Sequence, residues 1–298
     1  MIDLNRIVFI KIRIVVISCV AFLIFAKPVN AQTETKTSSL LWEISGNGLT
    51  SPSYLYGTIH LISKEDFFVR KEVDSVFKLC NQVAFEIKLD DMSALMGLEK
   101  KMELPEGQTI SGMMAPDDYQ ILKTYLIDSF DINLEEFDNK KPLALQQLLL
   151  TNIIDGEIES YELYFLMQSM QNKKKIKGLE TVDDQLAIFD SIPYIEQLQW
   201  MVDGINDTTN LNAQWDAIIQ AYKSEDLETI STLMNEGDEG LMKYEDVMII
   251  NRNKKWIPEI ESIMQSGASF IAVGAGHLPF DTGVIQLLKD KGYTLKPL

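Results

Sequence analysis

The sequence predicts an α/β (α+β) fold in which a mixed central β-sheet is built from the N- and C-terminal segments, with a large, mostly helical region between them. Three observations predict it. Short β-rich runs bounded by glycine turns lie at both ends of the chain, and the segment between carries apolar residues at helical spacing. Neither end is long enough to be a domain alone, so both are expected to contribute to one sheet.

The chain of 298 residues opens with Arg6, Lys11 and Arg13 ahead of an apolar run from Ile14 to Ala26, then Val29-Asn30-Ala31. This is the pattern of a secretory signal with a small-residue cleavage site, predicted to occupy residues 1–31. The run is too short for a membrane span, which needs roughly 20 apolar residues. Cutting before Cys19 would leave Val20 to Ala26 as a greasy mature terminus, so a lipid anchor is disfavoured. The mature protein is thus expected in the periplasm or secreted, with no stable membrane span.

Residues 32–38 read as a loose polar terminus, and residues 39–298 as one domain. Leu40 to Ser45 and Ser53 to Ile59 form a predicted hairpin around Gly46-Asn47-Gly48. A helix follows over Val69 to Leu79, then a short strand over Val83 to Ile87. From about residue 91 to 244 the pattern is helical, most clearly over Leu143 to Ile154, Leu163 to Met170, Val182 to Phe189 and Leu211 to Tyr222. One strand, Lys175 to Leu179, interrupts it. The final segment reads as a long helix from Tyr244 to Met264 that Pro258 kinks or divides, a buried strand over Ser269 to Val273, a tight loop from Gly274 to His277, a helix over Gly283 to Lys289 and a strand over Tyr293 to Leu295.

Composition excludes some functions. The predicted leader carries four basic residues against Asp3, so its removal takes the net charge from −17 to −20. A surface that acidic repels polyanions, and the short run Lys173-Lys174-Lys175 reads as a solvated turn, so no nucleic-acid partner is expected. Of two cysteines only Cys80 lies beyond the leader, so no intramolecular disulfide can form there. Cys80 reads as a core residue.

The chemistry concentrates on the only two histidines, His60 and His277. Each ends a β-rich segment in a Gly-x-x-His motif, Gly57 to His60 and Gly274 to His277. Open α/β sheets place ligands beyond the carboxyl ends of their strands, so both histidines are positioned for one site. Gly57, Gly274 and Gly276 suit close approach of backbone to a ligand, or positive φ. Two imidazoles with carboxylates would suit zinc, manganese or iron. Glu86, between Phe85 and Ile87 at a strand end, is placed to ligate a metal or to act as a general base, or else to form an ion pair. Glu180 ends the middle strand with the same geometry, or is a helix-terminal charge. Arg252, beside Asn253, could clamp a carboxylate or phosphate, or be simply solvated. Nucleophile elbows, phosphate loops, His-Glu-x-x-His helices and Cys-x-x-Cys pairs are absent from the sequence.

Five segments, LWEISGNGLTSPSYLYGTIHL, VAFEI, KGLETVDDQLAIF, NRNKKW and FIAVGAGHLPFDTGVIQLLKDKGYTL, resemble in order the TraB/PrgY/GumN family. That family is similar to the Tiki metalloproteases and, more distantly, to the erythromycin-esterase and ChaN-like proteins. The resemblance implies a metal-dependent hydrolase using manganese, cobalt or zinc. It points to Gly57, His60, Gly274, His277 and Glu86, and it draws attention to Glu180, Arg252 and Asn253. The leading expectation is a hydrolase acting on a peptide or another amide or ester, with His60, His277 and Glu86 as metal ligands and Glu86 and Arg252 as catalytic groups. The alternatives are a non-catalytic protein that sequesters a peptide, metal or haem, and an acidic envelope scaffold.

Overall fold

The computed structural model of the chain describes residues 38–91, 93, 97–154, 156–235 and 243–298. The predicted signal peptide lies outside the described residues. Among the described residues no helix is long and apolar enough to cross a membrane.

The two ends of the chain do share one sheet. β1 (Leu41–Gly46) and β2 (Ser53–Thr58) pair antiparallel across the expected hairpin, whose Gly46, Asn47 and Gly48 all take positive φ. β3 (Ile62–Ser63) follows His60. α1 (Lys71–Leu79) then leads into β4 (Gln82–Ile87). The helical middle contains α2 (Pro116–Phe130), α3 (Pro142–Ile153), the two-residue β5 (Ile158–Glu159), α4 (Tyr161–Gln171), β6 (Lys175–Glu180), α5 (Val182–Asp190), α6 (Tyr194–Asn206), α7 (Thr208–Lys223) and α8 (Leu227–Asn235). α9 (Asn251–Gln265), β7 (Ser269–Gly274), α10 (Val284–Asp290) and β8 (Tyr293–Pro297) complete the chain.

The sheet order is β6-β4-β7-β2-β1-β8. β2, β7, β4 and β6 are mutually parallel, with Thr58 opposite Gly274 and Ile87 opposite Glu180. Every residue of β2, β4 and β7 is buried, as expected for parallel strands covered on both faces. Phe77 of α1 and Phe165 of α4 stack on Phe270 of β7 with ring centroids 5.2 and 4.9 Å away. Alternation along the strand turns Ile271 to the opposite face. α9 packs over β6 and β7, and Gln82 of β4 donates to Ile263 O at its C-terminal end.

The helical middle builds an apolar cluster of its own, in which Leu122 and Leu126 of α2, Leu145 and Leu149 of α3, and Leu198 and Met201 of α6 meet. Cys80 is buried, its Sγ lies 3.3 Å from Val76 O, and burial pushes its thiol up to about 12, so it is an inert core group as expected.

Two features differ from the sequence reading. The predicted helix from Tyr244 to Met264 begins instead with a π-helical turn over Asp246–Ile250, and Pro258 lies inside α9 without dividing it. Such turns shift the register of the side chains that follow, here Arg252. The short pairing of β3 with β5, Ile62 opposite Glu159, was not predicted either. Two residues are too few to show a period, yet the pairing ties the loop after His60 to the start of α4.

Candidate functional site

The parallel strands run in one direction, so Thr58, Ile87, Gly274 and Glu180 end on one edge of the sheet. His60 lies two residues past β2, and His277 lies in a 3-10 turn, Ala275–His277, just past β7. Both histidines, Glu86, Glu180, Arg252 and Asn253 therefore come together in one cluster. All but His60 are buried, and His60 is partly exposed.

Glu162 fixes the orientation of His60. His60 Nδ1–H donates to Glu162 Oε1 at 3.0 Å, the Thr58 hydroxyl donates to the same oxygen at 2.7 Å, and the Ser160 hydroxyl donates to Oε2 at 3.0 Å. In the neutral ring Nε2 carries the lone pair, and it lies 3.9 Å from Glu86 Oε1. Burial alone would lower the imidazole's proton affinity, but Glu162 and then Glu86 outweigh it and hold the pKa above the usual value.

His277 is oriented in the opposite sense electrically. Its Nδ1–H donates to Asn253 Oδ1 at 2.7 Å, and the Asn253 amide nitrogen donates to Thr282 O at 2.9 Å. Nε2 accepts from Arg252 Nη1 at 3.0 Å. Burial, reinforced by the guanidinium, pushes this imidazole down to about 3, so it is neutral at physiological pH.

Arg252 bridges the elements. Nη2 lies 2.6 Å from Glu180 Oε1 and 2.5 Å from Glu86 Oε2, Nε donates to Glu180 at 3.1 Å, and Nη1 also reaches Met248 O in the π turn. The carboxylate it clamps is the protein's own. Trp256, one turn along α9, donates to Glu180 Oε2 and lies against both the guanidinium and the His277 ring. Glu86 also accepts the Gly274 N–H at 2.8 Å and an amide hydrogen of Gln185 at 3.3 Å. The ion-pair reading of Glu86 and the clamping reading of Arg252 are thus one observation.

The glycines divide by role. None of Gly57, Gly274 and Gly276 takes positive φ. A Cβ on Gly57 would press on Ala275 and Leu278, so that glycine allows β2 to pack on the loop after β7. Gly276 sits in the 3-10 turn. A Cβ on Gly274 would lie 3.3 Å from Glu86 Oε1, 3.4 Å from His60 Nε2 and 3.6 Å from His277 Cδ2, so its hydrogen leaves open the space on which all three side chains converge. Gly274→Ala is expected to shift stability by no more than about 1 kcal/mol, because its backbone angles suit any residue, while blocking that space to any ion offered to it. Thermal melts with and without added divalent metal would check this. An alanine variant that gained as much from metal as the native chain would contradict it.

Two of the candidate donors, His60 Nε2 and Glu86 Oε1, are of the types that suit a divalent cation. Glu86 and Glu180 share the Arg252 guanidinium and Glu162 pairs with His60, so three buried carboxylates stand with one fixed cation, an excess of negative charge that a bound cation or a protonated His60 would offset. His60 and Glu86 face each other across the space beside Gly274, whereas the lone pair of His277 is engaged by Arg252. Among the described residues, no three His, Cys, Asp or Glu groups stand close enough together to hold an ion.

Glu162 and Trp256 are the residues that the sequence reading missed. Glu162 follows a capping Ser160 and reads as an ordinary first-turn helix charge, so nothing in the sequence singles it out. Trp256 had a signal, its i, i+4 spacing from Arg252 on one helix face.

Sheet order and pocket together define an α/β protein with its ionisable chemistry gathered at the carboxyl edge of a parallel sheet. The chain belongs to the TraB/PrgY/gumN family, whose sequence model matches residues 40–297. It is similar to "Metalloprotease TIKI1" of Danio rerio, 22% identical over 91% of this chain and 66% of the relative. It is also similar to "Metalloprotease TIKI homolog" of Nematostella vectensis, 20% identical over 87% of this chain and 67% of the relative, and to "Metalloprotease TIKI1" of Homo sapiens, 19% identical over 88% and 62%. The chain thus spans about two thirds of the length of these curated relatives. No solved structure matches.

Proposed function

We propose that residues 39–298 form one domain of an exported, metal-dependent hydrolase that cleaves amide bonds in peptides. The observation that carries this is the approach of His60 Nε2 and Glu86 Oε1 to 3.9 Å across the space left by Gly274, at the sheet edge where α/β proteins bind ligands. The similarity to proteins named metalloproteases supports the reaction class, and the basic, then apolar, then small-residue pattern of residues 1–31 supports export.

His60 and Glu86 would hold the cation, with His277 as a third ligand once Arg252 yields its Nε2. Manganese, cobalt and zinc are the candidates. A bound divalent cation supplies Lewis-acid polarisation of a carbonyl oxygen and acidifies water at neutral pH. The chain's own groups do the rest. Glu162 locks His60 in the tautomer that presents Nε2, as carboxylates commonly do behind ligating histidines. Where Glu86 Oε1 faces the attacking water instead of the cation, it would take that water's proton and pass it to the leaving amine. Arg252 offsets negative charge developing on the substrate oxygen. Buried Trp256 and Asn253 keep these groups in place and exclude water.

Elemental analysis of protein offered manganese, cobalt and zinc, paired with hydrolysis of a peptide library, tests the reading. Near-stoichiometric metal and cleavage are expected, both lost in His60→Ala and His277→Ala. Native protein that takes up no metal, or variants that take it up equally, would overturn it. The hold of Arg252 on His277 Nε2 favours one rival, hydrolysis without metal in which the Glu162–His60 pair acts as the base. That rival expects cleavage that survives chelation and His277→Gln but not His60→Ala.

A further inference from the structure

We infer that Gln147 and Gln214, two buried carboxamides on the helices that cover the residue after His60, bind the backbone of an extended, uncharged peptide at the entrance to the site. This rests on the hydrolase reading and names two of its substrate-binding residues.

His60 is the partly exposed member of the cluster, so its side is the one open to solvent. Two helices cover the chain there. The Tyr222 hydroxyl of α7 donates to Gly57 O at 3.1 Å, and Trp215, two turns earlier, packs against the apolar cluster that holds Leu61, the residue after His60. α7 therefore runs along the first Gly-x-x-His motif. Leu150 of α3, and Ile154 just past its end, belong to the same cluster.

Each helix brings a glutamine to this place. Gln147 lies one turn before Leu150 on the same face of α3, and Gln214 precedes Trp215 on α7. They are only 5% and 7% exposed, yet Gln147 Oε1 and both amide atoms of Gln214 have no hydrogen-bond partner. Among the described residues, Gln214 is the one buried side chain of which this is true at both polar atoms. Their neighbours along the same helix faces are buried and apolar, Leu143 and Leu150 for Gln147, Leu211 and Ile218 for Gln214. A buried amide without partners is destabilising, and an apolar side chain of similar size would serve the fold better. Gln82 shows the ordinary arrangement, with its amide nitrogen bonded to Ile263 O, Ser266 and Ser269.

What these amides lack is what a peptide offers. A carboxamide holds a donor and an acceptor in one plane, and the edge of an extended backbone presents acceptors and donors in turn. The apolar surroundings disfavour any charged side chain on the incoming chain, because such a charge would be buried without a partner. An ester in place of the amide loses the N–H that Gln147 Oε1 or Gln214 Oε1 would accept.

The test is fluorescence anisotropy on the full chain in chelator, so that binding is read without hydrolysis. The probes are a labelled eight-residue peptide of alternating Leu and Ser, and the same sequence with esters in place of alternate amides. Native protein is expected to bind the peptide at least about tenfold more tightly than the ester version. Gln214→Leu is expected to cut that preference to less than about threefold by weakening the peptide alone, and Gln147→Leu to remove part of it. The thermal midpoint of each variant without peptide is expected to equal or exceed that of the native chain, since a partnerless buried amide has gone. Gln214→Met, which follows glutamine's own path, gives the same reading should leucine disturb the packing. Native protein with no amide preference, a preference that survives in the Gln214 variants, or equal weakening of peptide and ester with a lowered midpoint would overturn the inference and leave the glutamines a structural role. The two readings fail separately. Amide-selective binding by a protein that takes no metal and cleaves nothing retains the glutamines' role and removes the hydrolase, whereas metal uptake and cleavage without amide selectivity do the reverse.

Discussion

Replacing Arg252 with Met is expected to cost about 3–5 kcal/mol of folding stability, measured as a drop in the urea midpoint at unchanged slope. The guanidinium is buried and bonds Glu86, Glu180, His277 and Met248 O at once. Methionine fills much the same volume but leaves two buried carboxylates facing each other with no cation between them. The loss comes from those stranded charges more than from the hydrogen bonds themselves. Arg252→Lys restores the charge but not the planar fork that reaches two carboxylates and a ring nitrogen, so it is expected to recover only part of the stability. Adding Glu180→Gln to Arg252→Met removes one stranded charge and is expected to regain a measurable share. A loss below about 1 kcal/mol, typical of a surface pair, would show that Arg252 does not hold the pocket together.

The second large effect is in pH. His277 titrates near 6.5 when unfolded and near 3 when folded. Below pH 6.5 the unfolded chain therefore binds a proton that the folded chain refuses, and stability falls as pH falls, by up to about 1.4 kcal/mol per unit, until the folded imidazole also protonates. His60 acts in another window: its raised pKa adds stability that is fully present below 6.5 and is lost as pH rises through the folded value. Carboxylates with lowered pKa, such as Asp184 at about 2, lose their contribution only below the usual carboxylate range. Between about pH 6.5 and 4.5 the slope should belong mainly to His277. Urea melts in chelator at those two pH values are expected to differ by about 2–3 kcal/mol in the native chain and by less than half of that in His277→Gln. An equal pH loss in the variant would place the proton elsewhere.

Much of the site was legible because its residues sit at chain features that local rules detect. A Gly-x-x-His after a β-rich run can be read without a partner, and so can Glu86 at the end of an apolar strand. Arg252 was legible as a candidate but not as a bridge, since helix periodicity says which face a residue occupies and nothing about what lies opposite. Glu162 was not legible at all. Its partner His60 is 102 residues away, and the link is made by a β3–β5 pairing too short to leave a pattern.

By itself the sequence determined the elements, the hairpin, the helical middle and the placement of both histidines at strand ends, because these follow from the local periods of side chains and from glycine at the turns. Only the tertiary structure decided the strand order that seats β7 between β2 and β4, the assignment of β6 to the open edge, and the tautomers of His60 and His277. Those depend on long-range packing and on which buried charge meets which, and burial makes each such meeting worth several kcal/mol without leaving a trace in either neighbour's local sequence.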